Sequence, residues 1–201
     1  MEKISKAISY IFHPLIIPSL GMLVIYNSGT YLAYLPFDMK KWMLLIVFLS
    51  TFVVPLAFIP FFLYQRVIMN LQMGSRRERF VPMAVSFILY IFCFYLIRRI
   101  SIPHMYHSFL LSCMLAVFAA MLITLKYKIS LHMVGLGGLV ALIGFLAFYL
   151  KVDLRFYLGI SVLITGLIGT ARIILKAHTP GEVYTGFLTG FGVVLLTLAL
   201  Y

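Results

Sequence analysis

Residues 131–150 read Leu-His-Met-Val-Gly-Leu-Gly-Gly-Leu-Val-Ala-Leu-Ile-Gly-Phe-Leu-Ala-Phe-Tyr-Leu, a stretch without Asp, Glu, Lys or Arg. A helix rising 1.5 Å per residue covers about 30 Å in that length, the hydrocarbon thickness of a bilayer. Cations bracket it, Lys126 and Lys128 before, Lys151 and Arg155 after. Six more stretches of the same character lie at roughly 7–27, 42–64, 80–97, 105–125, 156–175 and 181–201. The first holds Pro14 and Pro18, which leaves open whether it spans or is re-entrant, and no small-residue cleavage site follows it. Short connections join all of them. The expected fold is all-α, a polytopic membrane helical bundle of six to seven transmembrane helices forming a single integral membrane domain over 1–201.

Composition agrees. Of 201 residues, 64% are apolar and 10% charged, whereas soluble domains hold about 45–50% and 25%. A water-facing core of this size cannot hide so much apolar surface. Lys and Arg number 16 against 5 Asp and Glu, a net charge of +11. Nucleic acid is the usual partner for such a balance. Here the excess sits in short clusters between apolar runs, so the expected partners are the lipid bilayer and a phosphorylated lipid, with no nucleic acid. Cys93 and Cys113 lie inside apolar runs with no CxxC spacing.

Antiparallel neighbours put the loops after the second, fourth and sixth spans on one face. Those loops hold Arg66 with Ser75-Arg76-Arg77-Glu78-Arg79, then Lys126-Tyr127-Lys128, then Arg172 through Glu182. The opposite face holds Asp38-Met39-Lys40-Lys41, Arg98-Arg99 and the 151–155 cluster, and with Trp42 reads as headgroup anchoring.

The third loop reads as a helix start, with Thr179 as N-cap, Pro180 at the first helical position and Glu182 closing a capping box. His178 then stands beside unpaired helical N–H groups that suit an anion, and Arg172 ends the preceding span nearby. In the second loop Ser130 is a natural N-cap, which places His132 in the first turn of the fifth span. In the first loop Arg76, Arg77 and Arg79 offer planar donors matched to phosphate oxygens. Ser75 and Glu78 have capping-box spacing there, and Pro82 is expected to kink the helix a turn later.

Together these loops resemble the type 2 phosphatidic acid phosphatase superfamily. Arg172-x5-His178-x3-Glu182 is similar to its third signature, an Arg, five residues, a His, three residues and an Asp. Ser130-Leu131-His132 keeps the Ser and the His of the second, Pro-Ser-Gly-His. The arginine cluster ending at Pro82 stands in the place of the first, a Lys, six residues, then Arg-Pro. Departures are Ala171 for Ser, Ile129 for Pro, Leu131 for Gly, Glu182 for Asp, and the missing Lys of the first signature. The resemblance covers about 72–190 and implies a core of that phosphatase type. It also implies metal-independent hydrolysis of a lipid phosphate or diphosphate monoester through a phospho-histidine.

On that reading His178 is the nucleophile, Glu182 orients it, and His132 exchanges protons with the leaving alkoxide and the water. Arg172, Arg79, Arg76, Arg77, Lys128 and Ser130 bind the phosphoryl oxygens. No cofactor or metal is expected, since carboxylates are few on this face. His104 and His107 read as interfacial on the other face, and His13 receives no role. The glycines of residues 135–138 and 181–190 read as packing positions that draw the two histidine-bearing helix ends together. A phosphotransferase, or a non-catalytic binder of phosphorylated lipid, is the alternative. The expected setting is a bacterial inner membrane. Half the cations on the histidine face are themselves the expected phosphate ligands, so charge counting leaves the leaflet open.

Overall fold

The computed structural model describes residues 2–70 and 75–201, and over those residues it contains helices and no strand. In chain order the helices are α1 (Glu2–Ile11), α2 (Ile17–Tyr26), α3 (Phe37–Phe48), α4 (Val54–Tyr64), α5 (Arg76–Arg98), α6 (His104–Lys126), α7 (Leu131–Tyr149), α8 (Arg155–Ile174) and α9 (Pro180–Leu200). Among the described residues, seven segments are long and apolar enough to cross a membrane: Ser5–Tyr26, Phe37–Tyr64, Glu78–Arg98, His104–Lys126, Leu131–Tyr149, Arg155–Ile174 and Pro180–Leu200. The chain is a polytopic helical bundle.

Two of these segments are broken for identifiable reasons. The first changes direction at His13, because Pro14 lacks an N–H and cannot continue α1; a short 3-10 turn over Pro14–Ile16 leads into α2. The second contains a π-helical turn over Leu49–Val53, just ahead of Pro55. Pro55 has no N–H to return to the Thr51 carbonyl, and the wider turn absorbs that loss. Pro82 lies inside α5, which runs on from Arg76 to Arg98.

The second span also begins earlier than its hydropathy suggests. Asp38, Lys40 and Lys41, expected in a loop, lie in the first turns of α3. Lys40 turns its ammonium back to the Ala33 carbonyl and lies 5.7 Å from the centre of the Tyr26 ring. Such a charged head is satisfied at a helix end while its stem stays apolar, so hydropathy misplaces the boundary.

The centre of the bundle is α7, which packs on α2, α6, α8 and most closely α9. Leu136, Leu142, Ile143 and Leu146 are fully enclosed, whereas Ile88, Leu163 and Leu188 face outward. In a bilayer apolar side chains gain little by leaving lipid, so packing decides which helices pair. Here glycines decide it. A methyl at Gly190 would overlap the Val134 carbonyl, one at Gly137 would overlap the Phe187 carbonyl, and one at Gly186 would stand 2.6 Å from the Ser130 carbonyl. The two backbones therefore touch, and the Ser130 N–H donates to the Glu182 carbonyl at 3.1 Å.

Gly190→Ala is expected to destabilise the detergent-solubilised protein by about 1–3 kcal/mol through overpacking. Gly144 has open space around it, so Gly144→Ala should be neutral or stabilising by up to roughly 1 kcal/mol. Thermal unfolding of the two variants against the parent checks the contrast.

Candidate functional site

At the end of α8, Lys176 adopts a left-handed conformation (φ 49°), and the N–H groups of Ala177 and His178 fold back to the Arg172 carbonyl at 3.1 and 3.3 Å. This turn sets His178 directly over the end of α8. Thr179 then caps α9 as expected, its Oγ1 accepting the Glu182 N–H at 3.3 Å. The second half of the capping box does not form. The Glu182 carboxylate turns instead to His178, with Oε2 2.7 Å from Nδ1, and both side chains are largely shielded from solvent.

The α7 end meets this pair through the glycine contact. Ser130 occupies the N-cap position, but its hydroxyl makes no capping bond; it is completely buried and without a protein partner. His132 points its Nε2 at the Ser9 carbonyl of α1, 3.1 Å away. A carbonyl only accepts, so Nε2 carries the proton, and Nδ1 has no protein partner among the described residues. Arg79, 9% exposed, donates from Nη1 to the Ile129 carbonyl at 3.4 Å. Arg172 presents a buried Nε that makes no hydrogen bond to the protein. Lys128 stands at the margin, half-buried. Arg76 and Arg77 open α5, and their side chains lie outside the described residues.

A cavity of about 240 Å³ opens among these groups. Its lining includes His13, Arg79, His132, Arg172 and His178 together with Leu15, Pro55, Met83, Phe109, Val117 and Leu139. The structure thus gathers most of the residues expected from sequence, and it adds His13, whose ring centre lies 5.9 Å from that of His132 in an edge-on arrangement. His104 and His107 are elsewhere: His104 stacks on Tyr201 at 4.6 Å, and His107 is 3.3 Å from the Ile97 carbonyl. No cluster of three or more His, Cys, Asp or Glu suited to a metal ion occurs among the described residues.

Burial holds the His178 imidazole far below its ordinary range, at about 3, and the charges of Arg79, Arg172 and Lys128 push the same way. The Glu182 carboxylate on Nδ1 opposes them but also fixes the tautomer. A neutral ring must donate Nδ1–H to the carboxylate, which leaves the Nε2 lone pair unprotonated. Lys128 is also held down, first by burial and then by Arg79 and Arg172, with Glu182 opposing.

No family model matches this chain, and neither a curated protein nor a solved structure does.

Because the folded pKa of His178 lies below the unfolded value, the unfolded chain takes up this proton first as pH falls. The stability at stake is complete above pH 6.5 and lost progressively from 6.5 towards 3. His178→Asn keeps a donor at the Nδ1 position without the titration. Its melting temperature should therefore fall less than the parent's between pH 7 and 5, and parallel curves would contradict the assignment.

Proposed function

We propose that the protein is a membrane-embedded, metal-independent lipid phosphatase acting on a phosphate or diphosphate monoester through a phospho-histidine. The observation that carries this reading is the His178–Glu182 contact at 2.7 Å on the wall of a cavity shared with Arg79, Arg172 and His132. A nucleophile held by an orienting carboxylate, among cations and next to a second imidazole, is an arrangement for transferring a group that carries negative charge. The resemblance to the type 2 phosphatidic acid phosphatases points the same way.

In the proposed first step the Nε2 lone pair of His178 attacks phosphorus, and Nδ1–H stays on the Glu182 carboxylate to stabilise the imidazolium formed. His132, protonated on Nδ1 once the phosphate dianion is beside it, gives that proton to the departing alkoxide. In the second step the neutral His132 takes a proton from water, whose oxygen attacks phosphorus and releases His178 and phosphate. Arg172, through its unpartnered Nε, and Arg79 offset the charge on the phosphoryl oxygens. The buried Ser130 hydroxyl is the proposed further donor. The apolar remainder of the cavity takes part of the substrate's chain, which explains why so polar a site sits against so apolar a wall.

Phosphate release from phosphatidic acid or a polyprenyl phosphate in detergent micelles should persist in EDTA. His178→Ala should lower it by about 10³-fold or more, and Glu182→Gln by roughly 10- to 100-fold. Activity unaffected by His178→Ala would overturn the mechanism, and activity abolished by EDTA would overturn its metal independence. Binding of orthovanadate without turnover of any lipid phosphate would favour a non-catalytic binder.

A further inference from the structure

His13 lies in the broken first span, outside every motif that points to phosphate chemistry, yet its imidazole helps line the cavity beside His132. It is held there deliberately. Its Nδ1 accepts the Leu15 N–H at 3.4 Å, capping the 3-10 turn that Pro14 begins. The Leu15 carbonyl accepts the Thr51 hydroxyl at 3.2 Å, and Phe52 meets the His13 ring edge-on at 6.3 Å. Thr51 and Phe52 both belong to the π-helical turn of the second span. Such turns gather at functional sites, and this one fixes the His13 ring from outside.

The hydrogen bonds give the three cavity imidazoles different capacities. Nδ1 of His178 holds its proton against Glu182, so its Nε2 offers a lone pair. Nε2 of His132 holds its proton against the Ser9 carbonyl, so its Nδ1 can gain and lose one. In His13, Nδ1 faces a backbone N–H, so the ring's proton sits on Nε2, and a second proton on Nδ1 would displace the Leu15 contact. No protein group among the described residues bonds to His13 Nε2. The ring is a fixed, neutral N–H donor.

We propose that His13 is a third substrate-contacting imidazole, whose Nε2–H donates to an oxygen of the phosphate ester next to His132. The inference rests on the phosphate-ester reading of the site above. It makes the N-terminal segment part of the reaction centre, through both the Ser9 carbonyl behind His132 and the His13 ring in front of the substrate.

Two substitutions separate this role from mere capping. Asn places an oxygen where Nδ1 caps the turn but does not reach the Nε2 position; Gln places an N–H near the Nε2 position but loses the cap. Orthovanadate binding by calorimetry and phosphate release from phosphatidic acid are measured on the full chain in detergent, with melting temperature alongside. His13→Asn is expected to weaken vanadate and slow release by roughly 10- to 100-fold at an unchanged melting temperature, as loss of a hydrogen bond to a charged group predicts. His13→Gln should stay within about threefold of the parent. Asn at parental level, or Gln impaired as much as Asn, overturns the proposal and leaves the phosphate reading standing. A parent that neither binds vanadate nor releases phosphate, and that His178→Ala does not change, removes the phosphate reading and this inference with it.

Discussion

The arrangement depends on the backbone contact between α7 and α9. Gly137, Gly186 and Gly190 let two helices touch main chain to main chain, and the Ser130 N–H reaches the Glu182 carbonyl as a result. One helix brings His132 in its first turn, and the other brings His178 and Glu182 just before and just inside its start. Side chains at those glycines would spread the helices and separate the imidazoles. In lipid, where apolar surface gives little reason for one helix to prefer another, that contact is what selects the pairing.

Charge is spent sparingly around it. The chain carries 5 acidic residues, and the carboxylate next to the cavity is committed to one hydrogen bond, on His178 Nδ1. Burial, with the charges of Arg79, Arg172 and Lys128 acting on the same ring, keeps His178 neutral. The same cations that suppress the imidazolium are suited to receive a phosphate dianion. An acid more at this point would neutralise the arginines; an acid fewer would release the tautomer of His178.

Much of this was legible in the chain because it is local. Seven apolar runs locate the spans, and Thr179-Pro180 and Ser75 announce helix starts by their own chemistry. The four-residue step from His178 to Glu182 allows one helical turn to join them. What sequence left open or misjudged depends on competition or distance. The sequence offers Glu182 both as a capping residue and as the partner of His178; in the fold its carboxylate goes to His178, and only the Thr179 half of the capping box forms. Ser130 has the right place for a cap, but its hydroxyl is enclosed and unused. The role of His13 was invisible because its neighbour His132 and the π-helical turn that braces it come from other spans, and the Ser9 carbonyl reaches His132 across 123 residues.

The proposed chemistry passes through a covalent bond between phosphorus and His178 Nε2, and that bond is directly observable. Incubation with a lipid phosphate radiolabelled on phosphorus, followed by a rapid alkaline quench and peptide mapping, should place an acid-labile, base-stable label on the peptide containing His178. Turnover of the lipid with no such label, or with the label on another residue, would contradict the account.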